Sequence, residues 1–168
     1  MSREAVWVTG IGACSSLGPS ADALADALES GTSGVRSHAG QPERGLAPFA
    51  AAAVTAPLGA NLPPAVRSQY DRHTLLALLA AEEAWTHARL PPQAPDPLRA
   101  ACAWGTGLGG SNSIEQSYVE WLTRPTPRIH PYTVVRVMSN SAAAHLAMKH
   151  KLQAAMLAVS NACASSAQ

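Results

Sequence analysis

Short apolar runs that lead into loops of glycine and other small residues constrain the fold of this chain most. Three of them, residues 5–11, 99–104 and 154–160, have the length and composition of buried strands. Helical patterns alternate with these runs and cover residues 21–29, 71–89, 111–122 and 139–150. Because strands that alternate with helices build a sheet with helices packed on it, the sequence predicts an α/β fold.

Capping residues and helix breakers locate the ends of these elements. Ser20 is placed to cap the first helix and Asp71 the longest one, because both side chains can accept hydrogen bonds from free backbone N–H groups. Residues 37–48 and 124–131 are broken by polar residues or proline and predict loops. Residues 49–55 form a further strand candidate, although alanine is a weak strand former.

Composition excludes several classes of protein. Hydrophobic residues make up 47% of the chain, and 12 basic residues nearly balance 11 acidic ones, which argues against a nucleic-acid or anionic-membrane surface. The N-terminus lacks the pattern of a signal peptide, and the longest apolar run, Leu75 to Ala81, is too short to span a bilayer. Cys14, Cys102 and Cys163 are widely spaced and form no disulfide framework, so we expect a cytoplasmic protein.

Cys163 is the best candidate for a nucleophile. It follows the last predicted strand, where a new helix is expected to begin. The free N–H groups of a helix N-terminus lower the pKa of a thiol and can hold the oxyanion formed when a thiolate attacks a thioester. Ala162, Ala164 and Ser165 are small and leave room for a substrate. A lone cysteine is more commonly a buried structural residue, and the local sequence leaves both interpretations open.

Five segments, in the same order along the chain, resemble the N-terminal half of β-ketoacyl synthases. The segment Val159-Ser-Asn-Ala-Cys-Ala-Ser-Ser-Ala-Gln168 is similar to the nucleophile segment of that family, in which an apolar strand leads into Ala-Cys-x-Ser. The other four are Val8-Thr-Gly-Ile-Gly12 with Ser16-Leu-Gly18, Asp71-Arg72 with Glu83-Ala-Trp85, Gly105-Thr-Gly-Leu-Gly-Gly110, and Asn140 with Ala143, Ala144 and His145. Each segment is weak evidence by itself, but five segments in the family's order are specific evidence for the resemblance.

The resemblance implies a thiolase-like fold, of which this chain would be the N-terminal half of the layered αβαβα architecture. It implies decarboxylative Claisen condensation in fatty acid, polyketide or polyene synthesis, with Cys163 as the catalytic nucleophile. An acyl carrier protein is the implied partner. That partner carries the phosphopantetheine arm, so no cofactor is expected on this chain. A homodimer, or a heterodimer with a ketosynthase-like subunit, is implied as well.

By position, Leu108 and Thr133 resemble the family residues that line the acyl pocket. The resemblance leaves open whether Thr133 reaches in from a dimer partner. Family members often carry a bulky aromatic residue nearby, so the smaller threonine would admit a longer or stiffer acyl chain. The sequence departs from the family pattern at Asn161, where threonine is frequent, and at residues 152–156, which lack a glycine-proline pair.

The resemblance also implies that part of the catalytic machinery lies outside this sequence. The family's two catalytic histidines and its lysine belong to the second half, and His145 is not one of them. Only Ala164 to Gln168 follow Cys163, too few residues for a stable helix. We therefore expect residues 1–168 to be a ketosynthase N-terminal domain cut just after the nucleophile, and to be inactive in condensation alone. A non-catalytic partner subunit is an alternative that the retained Cys163 argues against, whereas a split enzyme and a gene fragment stay open.

Dinucleotide binding is the strongest rival interpretation. The loop Gly105–Gly110 follows a strand and precedes a helix, as the phosphate-binding fingerprint of NAD(P)-dependent oxidoreductases does. The acidic residue expected about 20 positions later is missing, since His130 and Pro131 stand there. No Tyr-x-x-x-Lys pair exists either, so we disfavour nicotinamide chemistry.

The remaining polar and aromatic residues predict structure rather than chemistry. The six histidines are scattered and no HExxH or CxxC motif is present, so no metal site is expected. Glu82 and Glu83 point apart as helix neighbours and predict a solvated face rather than an acid–base pair. Roles in the core or in packing are expected for Cys14, Cys102, Trp85 and Trp104.

Overall fold

The computed structural model describes residues 5–126 and 128–167, in which helices and short strands form two compact units. The first unit comprises the chain up to residue 57 together with residues 79–89, and the second comprises residues 58–78 together with the chain from residue 90 onward. The helices are α1 (Ala21–Glu29), α2 (Pro64–Arg67), α3 (Arg72–His87), α4 (Ser111–Thr123), α5 (Thr133–Val137) and α6 (Ser141–His150). The strands are β1 (Arg36–His38), β2 (Phe49–Ala51), β3 (Cys102–Gly105) and β4 (Met156–Val159). No helix of the described residues is long and apolar enough to cross a membrane.

In the first unit, α1 begins where its capping residue predicts. The Ser20 hydroxyl accepts a hydrogen bond from the Ala23 N–H (3.1 Å) and so satisfies one of the N–H groups that a first helical turn leaves free. Ser30 ends the helix, and Gly31 follows with φ +67°, a left-handed conformation that glycine adopts without steric cost. The helix predicted over residues 21–29 is confirmed.

A short antiparallel hairpin follows α1 in the same unit. β1 pairs with β2 so that His38 lies opposite Phe49, and the two rings stack with centroids 5.5 Å apart. β2 covers only the first part of the strand predicted over residues 49–55, and β1 lies in a stretch predicted as a loop. Contacts between side chains on paired strands stabilise this hairpin, although neither sequence by itself has the hydrophobic pattern typical of a strand.

The strand predicted over residues 5–11 is wrong for the described structure. Val6 and Val8 are 95% and 82% exposed. The two sheets of the described residues pair only β1 with β2 and β3 with β4, so none of their strands runs beside this segment. A strand needs a neighbour for its backbone N–H and C=O groups, and an apolar sequence alone does not supply one.

The segment that follows residue 9 lies instead along the second half of α3. Any side chain at Gly12 would collide with the α3 backbone. The Glu83 carboxylate accepts hydrogen bonds from the Ala13 N–H and the Ala21 N–H, each at 2.8 Å. The prediction of a solvated pair is therefore right for Glu82, which is exposed. It is wrong for Glu83, which ties the loop at Ala13 and the start of α1 to α3.

In the second unit, β3 and β4 form a parallel pair. Cys102 aligns with Met156 and Gly105 aligns with Val159, so the carboxyl ends of both strands lie at the same edge. Both strands are shorter than predicted. α6 packs on the two strands through small residues, since Ala142 and Ala143 are fully buried. Small side chains on this face let the helix and strand backbones approach closely.

A buried aspartate joins the first turns of two helices in this unit. Asp71 is 2% exposed, and its carboxylate accepts from the His73 N–H of α3 (3.0 Å) and the Ser113 N–H of α4 (2.7 Å). Its Oδ1 also lies 3.1 Å from Nδ1 of His73. Burial would raise the pKa of Asp71, but these hydrogen bonds outweigh burial and hold the pKa well below the usual range. The predicted cap is confirmed, and it serves a second helix.

Candidate active site

Cys163 lies just beyond the C-terminal end of β4, and it is exposed. Cys14 and Cys102 are half-buried, so their prediction as core residues is right only in part. Burial raises the pKa of the Cys102 thiol, which keeps it protonated and unreactive. Of the three thiols, Cys163 is the one that a large substrate can approach directly.

The backbone that carries Cys163 is folded around a buried hydroxyl. Ala162 has φ +44°, in the left-handed region that costs a residue with a Cβ atom about 1–2 kcal/mol. The Ser165 hydroxyl accepts from the Asn161 N–H (2.8 Å) and lies 2.7 Å from the Ala162 carbonyl oxygen, to which it can donate. Because Ser165 is buried, these bonds are shielded from water and hold the turn in its strained form.

The first half of the glycine loop, residues 105–110, packs against this turn. The Thr106 N–H donates to the Val159 carbonyl (3.0 Å), and the Thr106 carbonyl oxygen lies 3.1 Å from the Ser165 hydroxyl. A Cβ atom on Gly105 would lie only 2.6 Å from the Ser165 carbonyl oxygen. Glycine is therefore required where the loop passes the turn of Cys163.

The second half of the same loop packs against α5. Gly109 has φ +75°, and the Gly110 N–H donates to the Val137 carbonyl oxygen (3.3 Å). A Cβ atom on Gly109 would lie 3.0 Å from that same oxygen. The loop therefore contacts both the turn of Cys163 and the helix that begins at Thr133.

Leu108 and Thr133, the predicted pocket residues, lie on the elements that the loop connects. Leu108 is 71% exposed on the loop itself. Thr133 is the first residue of α5, and its buried Oγ1 has no hydrogen-bond partner among the described residues. A role for either side chain in binding an acyl chain stays a prediction.

The helix predicted to begin at Cys163 is absent from the described residues. A single 3₁₀ turn, Ser165–Ala167, follows instead. One turn has little of the aligned dipole that a longer helix builds up, so it cannot supply the predicted electrostatic effect. The sequence alone reveals neither the left-handed Ala162 nor the organising hydroxyl of Ser165. The Ala-Cys-x-Ser pattern contains that serine but does not show what it bonds.

The N-terminus of α4 is not open to a pyrophosphate. The Ser113 N–H in its first turn is already bound by the Asp71 carboxylate. Gly110 packs so closely on the Arg136 carbonyl that even a Cβ atom would overlap it. A dinucleotide fingerprint needs free N–H groups and an open approach at this point. The structure therefore supports rejecting the dinucleotide interpretation.

Outside the turn of Cys163, the titratable side chains form no metal-binding cluster among the described residues, and His145 packs against an aromatic ring. The described residues include no group of three or more His, Cys, Asp or Glu side chains that could hold a metal ion. His145 packs edge-to-face on Tyr70, with ring centroids 4.5 Å apart. Burial lowers the pKa of His145, which favours the neutral ring in this apolar contact.

The family model for the β-ketoacyl synthase N-terminal domain matches residues 3–168. The chain therefore belongs to the β-ketoacyl synthase family, and the resemblance found in the sequence is confirmed. Nodulation protein E of Rhizobium meliloti (strain 1021) is 29% identical over 165 residues, which are 98% of this chain and 41% of that protein. The 3-oxoacyl-[acyl-carrier-protein] synthase 2 of Coxiella burnetii (strain RSA 493 / Nine Mile phase I) is 27% identical over 97% of this chain and 40% of its own length. The chain thus spans about two fifths of these relatives.

Solved ketosynthases have the same fold over nearly the whole chain. The ishigamide ketosynthase/chain length factor superposes with a TM-score of 0.81 at 22% identity, over 95% of this chain and 40% of that one. A ketosynthase in complex with its type II polyketide acyl carrier protein gives a TM-score of 0.75 at 19% identity, over 97% of this chain and 43% of that one. The thiolase-like α/β fold expected from the resemblance is confirmed.

Proposed function

We propose that this chain forms the acyl-accepting part of a β-ketoacyl synthase. Cys163 takes an acyl group from the phosphopantetheine arm of an acyl carrier protein, and Leu108 and Thr133 line the path of that group. The acyl-cysteine is then condensed with a malonyl-carrier in fatty acid or polyketide synthesis. The observation that carries the proposal is the exposed thiol on a strained, internally bonded turn at the end of β4.

The first step is an exchange of thioesters. The Cys163 thiolate attacks the acyl carbonyl carbon, and the bond from that carbon to the pantetheine sulfur breaks. The proton that left Cys163 ends on the pantetheine thiol, so one thioester replaces another without a change of oxidation state. The rigid turn keeps the sulfur in one position at the surface, which lowers the entropic cost of reaching the attack geometry.

The second step breaks the bond between the malonyl carbon and its carboxylate. Carbon dioxide leaves, and the resulting carbanion attacks the acyl carbonyl carbon. The bond from that carbon to the Cys163 sulfur then breaks and releases the thiolate. Negative charge develops on the malonyl thioester oxygen and needs hydrogen-bond donors. The family resemblance assigns these donors to two histidines outside the matched domain. We therefore propose that the 168-residue polypeptide, assayed alone, accepts acyl groups without completing condensation.

The proposed function includes two protein partners. One solved relative is a ketosynthase in complex with a type II polyketide acyl carrier protein, and another is a ketosynthase/chain length factor. By analogy, this chain meets an acyl carrier protein and pairs with a second copy or with a ketosynthase-like subunit. A cytoplasmic location, expected from the three widely spaced cysteines, is part of the same proposal.

Intact-mass spectrometry of the 168-residue polypeptide, incubated with an acyl-carrier thioester, tests the nucleophile. We expect a gain of one acyl group that disappears in Cys163→Ala. Cys102→Ala and Cys14→Ala are the matched controls, because their half-buried thiols should leave the gain intact. A gain that persists without Cys163, or no gain in any variant, would contradict the proposal. Formation of a β-ketoacyl-carrier product on addition of malonyl-carrier would contradict only the second part.

A further inference from the structure

The glycine loop presents Leu108 at its apex without fixing where that side chain points. Its neighbours Gly107, Gly109 and Gly110 are all glycines, and Leu108 itself is exposed. Glycine leaves the backbone free to adopt many conformations, so the loop sequence alone does not hold the leucine in one direction. A contact made by a residue other than these glycines is needed to do so.

The side chain of Thr106 makes that contact. The Gly109 N–H donates a hydrogen bond to Oγ1 of Thr106 (3.2 Å), across the two residues at the apex, Gly107 and Leu108. Gly109 is buried and has φ +75°, so its N–H would lose a hydrogen-bond acceptor in a place shielded from water if the hydroxyl were removed. The hydroxyl of Thr106 therefore closes the loop beneath Leu108.

The backbone of the same residue is tied to the turn of Cys163. The Thr106 N–H donates to the Val159 carbonyl oxygen at the end of β4 (3.0 Å), and the Thr106 carbonyl oxygen lies 3.1 Å from the Ser165 hydroxyl. One residue thus joins the strand that leads to the thiol, the turn that carries the thiol and the loop that carries Leu108. The distance between Leu108 and Cys163 depends on it.

Threonine suits this position because its side chain is branched at Cβ. Branching restricts rotation about χ1, so the hydroxyl stays directed at the Gly109 N–H. Valine has the same branched shape but no hydroxyl, whereas serine keeps the hydroxyl and lacks the methyl group. Substitution by each in turn therefore separates the hydrogen bond of Thr106 from its packing.

We propose that Thr106 is a positioning residue that selects acyl groups by holding Leu108 at a fixed place relative to Cys163. This inference rests on the proposed function, in which Leu108 lines the path of the acyl group. A long acyl chain then meets a side chain that is already ordered, so less conformational entropy is lost on binding. An acetyl group has no chain to contact the leucine. Thr106 acts through Leu108 and does not touch the reacting atoms.

Transfer of acetyl and octanoyl groups from pantetheine thioesters to Cys163 of the 168-residue chain, followed by intact-mass spectrometry, tests the proposal. We expect the ratio of octanoyl to acetyl transfer rates to fall at least fivefold in Thr106→Val and to stay within twofold of wild type in Thr106→Ser. Thr32→Val is the matched control, because it removes an exposed hydroxyl of the first unit, 2.8 Å from that of Ser30. It should leave the ratio unchanged.

Two results of this assay would overturn the proposal. An unchanged ratio in Thr106→Val, including equal slowing of both transfers, would show that the hydroxyl does not act through Leu108. A ratio that falls as far in Thr106→Ser as in Thr106→Val would assign the effect to the methyl group of Thr106 instead of its hydroxyl.

Hydrogen exchange of the Gly109 N–H, followed by NMR, tests the contact without any reaction. We expect exchange at least tenfold faster in Thr106→Val than in wild type and in Thr106→Ser, and equal exchange in all three would also overturn the proposal. If the wild-type chain accepts neither acyl group, the proposed function fails and acyl selection by Thr106 fails with it. Faster exchange in Thr106→Val would in that case still show that the hydroxyl holds the loop.

Discussion

The hydroxyl of Ser165 is at the centre of the turn that presents Cys163. It accepts one backbone N–H and lies within hydrogen-bond distance of two carbonyl oxygens, those of Ala162 and Thr106. A hydroxyl has a single proton, so it donates to these oxygens alternately or shares the proton between them. The same atom therefore ties the turn to itself and to the glycine loop.

Removing this hydroxyl should impair acyl transfer more than it impairs access to the thiol. In Ser165→Ala we expect the free energy of unfolding to fall by about 1–3 kcal/mol, because buried polar groups lose their partner. Acylation of Cys163 from a carrier thioester should slow about tenfold or more, since a loosened turn misplaces the sulfur. Alkylation of Cys163 by iodoacetamide should stay nearly unchanged. Ser166→Ala, at the exposed neighbour, is the control, and equal acylation of both variants would refute a positioning role.

The left-handed conformation of Ala162 makes a second prediction at the same scale. A β-branched residue tolerates positive φ worse than alanine does, so Ala162→Val should lower the free energy of unfolding by about 1–3 kcal/mol. Ala164→Val is the matched control, because Ala164 is also exposed and has no positive φ. Chemical denaturation of both variants measures the difference. Equal stabilities would show that the turn is not held in the left-handed form.

At the scale of the elements, Asp71 couples the starts of α3 and α4. One carboxylate caps both helices, so its loss leaves two buried backbone N–H groups, those of His73 and Ser113, without their acceptor. We expect Asp71→Ala to lower the free energy of unfolding by about 2–4 kcal/mol, from two lost caps of about 1–2 kcal/mol each. Asp22→Asn, at an exposed carboxylate in the first turn of α1, should cost only about 0.3–1 kcal/mol. Thermal or urea unfolding would contradict the coupling if the two variants were equally stable.

The lowered pKa of the Asp71 carboxyl makes the stability of the fold depend on pH. Its pKa in the folded chain lies below that in the unfolded chain, which is about 3.9. The stabilisation is therefore fully present above about pH 4 and is lost progressively as the pH falls below that value. In Asp71→Asn this part of the acid destabilisation should disappear, so the wild-type and variant stabilities should converge toward low pH. Urea unfolding at a series of pH values measures the free energy of unfolding of both proteins. Wild-type and variant curves that stay parallel down to low pH would refute the prediction.

Elements whose ends depend on local chemistry could be predicted from the sequence. Ser20 and Asp71 mark the starts of α1 and α3 because a cap needs only its own helix. The strand expected over residues 5–11 failed because a strand exists only beside a partner. At the site, the resemblance predicts Cys163 as the nucleophile, but the role of Ser165 depends on backbone geometry that side-chain patterns do not encode.

At the scale of the whole molecule, α4 presents an apolar surface from which we expect self-association in solution. The helix carries an apolar stripe at one face, formed by Ile114, Tyr118, Trp121 and Leu122, with the spacing of one side of a helix. Tyr118 is 66% exposed and Leu122 is 78% exposed, so the described residues leave the stripe largely uncovered. The ketosynthase-like pairing in the proposed function would bury such a stripe against a second copy or a related subunit.

Sedimentation velocity over a range of protein concentrations tests this consequence. We expect the 168-residue chain to self-associate, and Leu122→Glu to weaken the association at least tenfold. Burial of one leucine contributes about 1.5–3 kcal/mol, and about 1.4 kcal/mol corresponds to a factor of ten in an association constant. Leu28→Glu places the same charge on an exposed leucine of α1, 66% exposed, and should leave association unchanged. Equal weakening by both variants would attribute the association to net charge, and no effect of either would place the contact elsewhere than on α4.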